Sequence, residues 1–354
     1  MDLLLNSSVK NIWYAFYELR VKKTGQVRCG ALLKVEFRDG KTGHADLHPW
    51  PEKGEAPLKV QLDKLRKKEC TTLCSRVLAI AREEAKARTQ EFNLLSSLKI
   101  PLSHYLISDV ENFCDLDKVL NQGFRIFKVK LNTPLKRQTQ KLLRWMQTLG
   151  SSVKWRLDFY IKLNEQQWRR WSEEYLVKMD TQYLDFMEVP FQYQERLWMQ
   201  YEEYPLALDV WNGKNTLPVS TLVWKNSRKS EPELLRKKRA GLFQRVIFTH
   251  SLSHPLDQLS SAYFAARFYK IHPHLREVCG LVQKDVYENH KFTLPDRGPC
   301  FPRLSGKGWG LDSFLLDRLS WKKCCSYTKP IEKKEAIGRD CKVTKKIIPA
   351  GYKR

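Results

Sequence analysis

The chain has 354 residues, 42% of them hydrophobic, with 63 Lys and Arg against 39 Asp and Glu for a formal net charge of +24. Eleven Trp, 16 Phe and 14 Tyr are too much apolar mass for a disordered chain, and no apolar run approaches the roughly 20 residues of a membrane span. A soluble, globular chain remains, long enough for a β/α barrel with an appended domain.

The first residues, MDLLLNSSVKNIW, have neither a basic leader region nor a long apolar one, so export is not expected and the chain is placed in the cytoplasm. Next come two aromatic and β-branched runs, IWYAFYELRV and CGALLKVEF, separated by the turn-like KKTGQ and read as antiparallel strands. GHADLHPWPEKGEAP is a loop rich in Gly and Pro, and KVQLDKLRKKECTTLCSRVLAIAREEAKA is helical by its leucine spacing and its Ala, Glu and Lys content. Residues 1–98 are therefore expected to form an α+β capping domain.

From residue 99 the texture changes to short strands alternating with amphipathic helices, the pattern of a parallel sheet or barrel. In LNTPLKRQTQKLLRWMQTLG, Thr133 suits an N-cap with Pro134 at the first helical position, Leu142, Met146 and Leu149 mark one apolar face, and Gly150 closes the helix. In VKWRLD, Val153, Trp155 and Leu157 alternate with Lys154, Arg156 and Asp158, so one strand face is apolar and the other charged. The same parity groups Lys128 with Lys130, Leu184 with Phe186 and Glu188, and Thr221 with Val223 and Lys225. The barrel is expected over 99–321, its last segments returning towards the cap. Residues 322–354 are read as a mobile basic tail, since the last 34 residues hold eleven Lys or Arg against three acids.

Five charges recur at the ends of successive strand-like runs: Lys130, Asp158, Glu188, Asp209 and Lys225, separated by 28, 30, 21 and 16 residues. Each interval accommodates a β/α unit, and in a (β/α)8 barrel the C-terminal strand ends form the active site, so the five converge on one cavity. Asp158, Glu188 and Asp209 offer hard oxygen ligands suited to Mg2+, or Mn2+, rather than zinc. A substrate carboxylate on such an ion has a more acidic α-proton, which a neutral lysine could remove. Lys130 is placed as that base, and Lys128, Lys225 and the metal are expected to lower its pKa by like-charge repulsion. A single strand-end Asp more often caps a helix, and a lone Lys-x-Lys is usually a solvated edge pair. The ordered set of five is what points to a site.

The remaining signals are weaker. Nine cysteines without a CxxC pair read as free thiols, Cys70 with Cys74 and Cys324 with Cys325 lacking partners for a metal site. The runs KLRKK at 64–68 and RKKR at 236–239 come without any RNA- or DNA-binding motif, so they read as solvated helix faces rather than a nucleic-acid surface.

At these residues the sequence resembles the enolase superfamily, in its muconate-lactonizing subgroup: GFRIFKVKL, RLDF, MEVPF, LALD and VWKNS are similar to successive barrel-strand motifs of that family. GHADLHPWPEKGEAPL, FTHSLSHPLDQLSSAYFAA and GKGWGLDSFLLDRLSW are similar to segments of o-succinylbenzoate synthases in particular, so the resemblance runs from about residue 10 to 321. It implies a modified (β/α) TIM-type barrel with an N-terminal α+β capping domain. It also implies a Mg2+-dependent dehydratase of menaquinone biosynthesis that converts 2-succinyl-6-hydroxy-2,4-cyclohexadiene-1-carboxylate to 2-succinylbenzoate and water. By the same carry-over, Lys130 is general base and then acid, Lys225 stabilises the anionic intermediate by charge and a cation-π contact, Lys128 tunes the Lys130 pKa, and Asp158, Glu188 and Asp209 hold the metal.

Several positions depart from the family pattern: Tyr160 stands in place of an Asn, Val189 and Val210 in place of polar residues, Asn226 in place of a frequent Pro, and Ser253 and Asp257 within the DHPLG-like segment. Two other readings are carried forward: an N-acylamino acid racemase or dipeptide epimerase using Lys130 and Lys225 as paired acid and base, and a basic binding protein on a retained barrel. Arg20, Arg28 and His48 are polar residues expected near the cap-barrel junction.

Overall fold

The computed structural model describes residues 8–209, 218–282 and 286–327. The two N-terminal apolar runs are strands β1 (Val9–Arg20) and β2 (Val27–Phe37), followed by β3 (Thr42–Leu47), all antiparallel. Helices α1 (Leu58–Arg66) and α2 (Thr72–Thr89) cover one face of this sheet. Thr71 caps α2 by accepting from the Cys74 N–H at 3.0 Å. The helix lies so close on β3 that a Cβ at Gly43 would come within 2.0 Å of the Ala81 carbonyl, so only glycine fits there.

The alternating region gives seven parallel strands: β4 (Tyr105–Ile107), β5 (Ile126–Leu131), β6 (Lys154–Phe159), β7 (Leu184–Glu188), β8 (Leu206–Asp209), β9 (Val219–Trp224) and β10 (Phe243–Phe248). They lie side by side in chain order. Between and after them run α3 (Leu116–Asn121), α4 (Leu135–Leu149), α5 (Glu165–Tyr175), α6 (Glu195–Gln200), α7 (Glu231–Arg239) and α8 (Pro255–Ile271). The ring is closed by two residues in the eighth place. Cys279 bridges Ser103 beside β4 and Gly280 bridges Thr249 beyond β10, both in parallel sense. The barrel with an α+β cap is thus the fold observed.

Side chains sort by face as strand alternation requires. Phe186, Ala207, Val223 and Ile247 form a small cluster of their own inside the barrel. Trp155, Leu157 and Met187 belong instead to the large core between sheet and helices, where Trp168 and Trp171 are also buried.

Three sequence expectations are corrected. First, Leu184 does not share a face with Phe186 and Glu188: Trp155 pairs with Leu184 while Arg156 pairs with Phe186, so a bulge at Asp185 shifts the register. Leu184 joins the outer core and Asp185 reaches Arg156. Second, Pro134 rather than Thr133 holds the N-cap position of α4, which begins at Leu135, while Gly150 ends the helix with φ 48° as expected. Third, residues read as the start of a mobile tail are ordered: after helix α9 (Ser313–Asp317), β11 (Lys322–Ser326) pairs antiparallel with β1 at the edge of the cap sheet. KKCCS has no strand signature of its own; the unpaired edge of β1 gives it one. The remainder of that expected tail, 328–354, lies outside the described residues.

Candidate active site

The pairing register places the five charges together. Lys130 pairs with Asp158 and Asp158 with Glu188, so these three share one row. Glu188 pairs with Ala207, two residues before Asp209, and Asp209 pairs with Val223, two before Lys225. The set therefore climbs four residues over four strand steps. A barrel of eight strands and shear eight climbs about one residue per strand, so this offset keeps all five at one height on the mouth.

Lys128 sits one inward-facing position below Lys130. Its ammonium lies 2.6 Å from Glu188 Oε2 and 3.0 Å from Asp158 Oδ2, while Lys225 Nζ lies 2.5 Å from Asp209 Oδ2. Burial works against the charge of Lys128, but Asp158 and Glu188 outweigh it and hold its pKa above the ordinary lysine value. Burial lowers the pKa of Lys130, Lys128 and Lys225 lower it further, and Asp158 and Glu188 oppose them. Desolvation, more than like-charge repulsion, is thus the leading cause of that shift. Burial likewise pushes the Glu188 carboxyl up to about 7, helped by the nearby Asp158, whereas Lys128 and Lys130 bring Asp158 down to about 2 against its own burial.

Lys162, Lys53 and Tyr160 add to the mouth. Lys162 Nζ donates to the Phe159 carbonyl at 2.6 Å and the Val189 carbonyl at 2.9 Å, tying the loop after β6 to the loop after β7. Val189 directly follows Glu188 and has φ 45°, an uncommon conformation for a β-branched residue. The Tyr160 ring lies 5.9 Å from Lys130 Nζ and 5.8 Å from Lys53 Nζ, between a barrel lysine and a cap lysine. Trp50 from the cap also lines the pocket. Lys53 and Trp50 lie in the PWPEKGE stretch, which the sequence marked as a motif without showing which of its side chains face the cavity.

The residues set aside at the junction have other partners. Arg28 stacks 3.8 Å from the Trp50 ring centroid and pairs with Glu52 at 2.6 Å, supporting the pocket wall from behind. His48 is bound through Nδ1 to the Tyr17 hydroxyl at 2.9 Å, and Arg20 is exposed beside Glu288. Asn226 accepts from Arg76 of α2 at 2.9 Å, joining cap to barrel. Ser253 donates to Asp257 at 2.8 Å, and Asp257 also accepts from the Ser251 N–H at 2.9 Å, so this pair shapes the loop after β10. Val210 lies outside the described residues.

For a divalent cation, the donor chemistry fits: three carboxylates stand at the ends of three adjacent strands, and Glu188 is raised first by burial and then by the charge of Asp158, both of which a cation would offset. The carboxylates nevertheless do not stand close enough to one another, among the described residues, to share an ion as placed. Lys128 and Lys225 supply the positive charge between them.

Residues 12–87 match the family model for the N-terminal domain of O-succinylbenzoate synthase. An o-succinylbenzoate synthase of Bdellovibrio bacteriovorus is 25% identical over 317 residues, 86% of this chain and 93% of that protein. Among solved structures, a mandelate racemase/muconate lactonizing enzyme from Roseiflexus sp. superposes with a TM-score of 0.65 at 15% identity, covering 86% of this chain and 98% of that one. A dipeptide epimerase from Enterococcus faecalis V583 does so with 0.64 at 13% identity, covering 86% and 99%. The resemblance read from the strand-end motifs stands, and the fold is that of these barrels. No helix among the described residues is long and apolar enough to cross a membrane.

Proposed function

We propose that this chain, an o-succinylbenzoate synthase relative with an enolase-superfamily fold, is a lyase that dehydrates 2-succinyl-6-hydroxy-2,4-cyclohexadiene-1-carboxylate to 2-succinylbenzoate. The observation that carries the reading is Lys130, a lysine of depressed pKa in one strand row with Asp158 and Glu188 and in one cavity with Lys225. In its neutral form Lys130 takes the proton α to the ring carboxylate, and the electron pair of that C–H bond passes into the carboxylate. As the pair returns, the neighbouring C–O bond breaks, Lys130 gives its proton to the departing hydroxyl, and water leaves from an aromatic ring. Lys225 and Lys128 keep positive charge beside the anionic intermediate. Mg2+ or Mn2+ held by Asp158, Glu188 and Asp209 would supply further positive charge at the same carboxylate.

The racemase or epimerase reading draws on the two lysines lining the same cavity. The ion pair of Lys225 with Asp209 favours an electrostatic role for it over that of a second base. The deciding experiment follows appearance of the aromatic product from the cyclohexadiene carboxylate with Mg2+, beside proton exchange into N-acylamino acids and dipeptides. Wild-type protein should aromatise the first and Lys130→Ala should not, with circular dichroism unchanged. Exchange without aromatisation would select the epimerase reading, and turnover by Lys130→Ala would remove the base.

A further inference from the structure

The cysteine pairs that stood out in the sequence take no part at the mouth, and the bonding of one pair sets it apart. Adjacent strand residues face opposite sides of a sheet. In β11, however, Cys325 pairs with Ile12 of β1 while Lys323 pairs with its neighbour Trp13, so Cys324 is the extra residue of a bulge. Both thiols therefore turn towards α1. Cys325 stands opposite Ile12, which is buried in one core with Leu62 and Leu65, and Cys324 Sγ lies 3.8 Å from the Leu62 carbonyl. The two sulfurs are bonded to each other and half-buried.

Positive charge gathers beside them. Arg66 ends α1, Lys68 follows with its ammonium 5.8 Å from the Tyr327 ring centroid, and both act on the Cys325 thiol. The bond from Cys324 is the largest influence, and with Tyr327 and these cations it lowers the Cys325 pKa against the effect of burial. The same bond, with burial, raises that of Cys324, and the Leu62 carbonyl beside it also favours the protonated thiol. The proton stays on Cys324 and the thiolate forms on Cys325. A partly exposed thiolate among cations is the setting of a reactive cysteine, whereas apolar burial makes one inert. Cys74 shows the second case: it is buried, bonds to Gln61 Oε1 at 3.3 Å, and is pushed by burial up to about 11.

We propose that Cys325, with Cys324 as its proton-bearing neighbour, is a modification site for small two-electron oxidants of the peroxide class. The thiolate attacks one peroxide oxygen, an S–O bond forms as the O–O bond breaks, and the sulfur gives up two electrons to become a sulfenic acid. The departing hydroxide takes the Cys324 proton and leaves as water, and solvent then returns a proton to Cys324. No disulfide closes within the strand: Cα atoms of adjacent residues stand about 3.8 Å apart, closer than the roughly 4.4–6.8 Å that disulfides span. The sulfenic acid waits for an outside thiol to reduce it. The site lies on the cap sheet and is independent of what the mouth binds.

The test sets chemistry against exposure. Full-length protein, reduced and then freed of reductant, meets hydrogen peroxide together with dimedone, which traps sulfenic acids, and each cysteine peptide is quantified by mass spectrometry. Exposure alone would put Cys29, Cys114 and Cys300 first, since these are the exposed thiols among the described residues. Cys325 should instead be labelled about tenfold faster than any of the three near about pH 7, because thiolate fraction sets the rate. Cys324→Ala should slow that labelling by about tenfold and move the midpoint of its pH–rate profile up, and Lys68→Gln, at an exposed position outside the strand, should do the same to a smaller extent. In urea the lead of Cys325 should vanish. Labelling of Cys325 no faster than that of the exposed three, a lead that survives unfolding, or an unchanged midpoint in both variants overturns the site.

Discussion

The two ends of this barrel are built from the same materials, cations paired with carboxylates, and use them oppositely. At the N-terminal end, Arg156 binds Asp185 at 2.6 Å, Asp185 binds Arg245 at 2.8 Å, and Arg245 binds Glu277 at 2.7 Å, a run of alternating guanidinium and carboxylate groups. At the mouth the cations are lysines. Arginine cannot give up its proton and holds carboxylates in fixed bidentate geometry, whereas a lysine shifts its pKa readily when desolvated. The difference separates an end that holds the barrel shut from an end that can move a proton.

The comparison breaks if the residue types are interchangeable. Lys130→Arg keeps the charge and removes the neutral form, so turnover should fall by about 10²–10⁴-fold, the scale of general acid-base catalysis, with the melting temperature near that of wild type. Comparable activity in this variant would end the distinction at the mouth. At the other end, Asp185→Ala strands the buried Arg156 charge and should cost about 3–5 kcal/mol in denaturant unfolding; a loss under about 1 kcal/mol would show that this run of charges is ornamental.

Two smaller effects sharpen the contrast. At the cap-barrel junction Asp46 accepts from the Tyr17 hydroxyl at 2.5 Å and the His254 N–H at 3.1 Å, and burial, then the charge of Asp257, push it up to about 7. A carboxyl raised on folding binds more protons in the native state than in the unfolded one. Its contribution to stability therefore falls as pH rises from about 4 to about 7, by at most about 1.4 kcal/mol per unit. Asp46→Asn should flatten that slope in melts taken from pH 4 to 8; an unchanged slope would place the pH dependence elsewhere. The smallest effect is expected at Lys128. Replacing it with Met removes a like charge beside Lys130, so the rising limb of kcat/KM against pH should move up by about one unit. A move downward would mean that the freed carboxylates dominate.

Much of this was legible in the sequence, for a physical reason. Strand alternation and β/α spacing are local properties, so VKWRLD and its neighbours announce which side chains face inward and where each strand ends. The bulge at Asp185 is a property of pairing between β6 and β7, and no run of residues shows it. The meeting of His104 and His250 in the same pocket was not legible either: the two residues lie 146 positions apart, and only closure of the ring by Cys279 and Gly280 brings them together. Lys162 gave no signal because its role depends on the Val189 carbonyl, turned by a backbone conformation that the sequence does not advertise. The start of the tail was misread because a strand completed by a partner needs little propensity of its own.

That last strand has a consequence for how the molecule is made. β11 pairs Asn11 with Ser326 and Tyr14 with Lys322, so β1 waits for a strand made 315 residues after Asn11. Until then the outer edge of β1 stays open to pairing with any passing strand, a known route to aggregation. Tyr327, buried with its hydroxyl on the Leu65 carbonyl at 3.0 Å, then fastens the late strand over α1. A chain cut before residue 322 would carry the whole set of strand-end charges and still leave its cap unfinished.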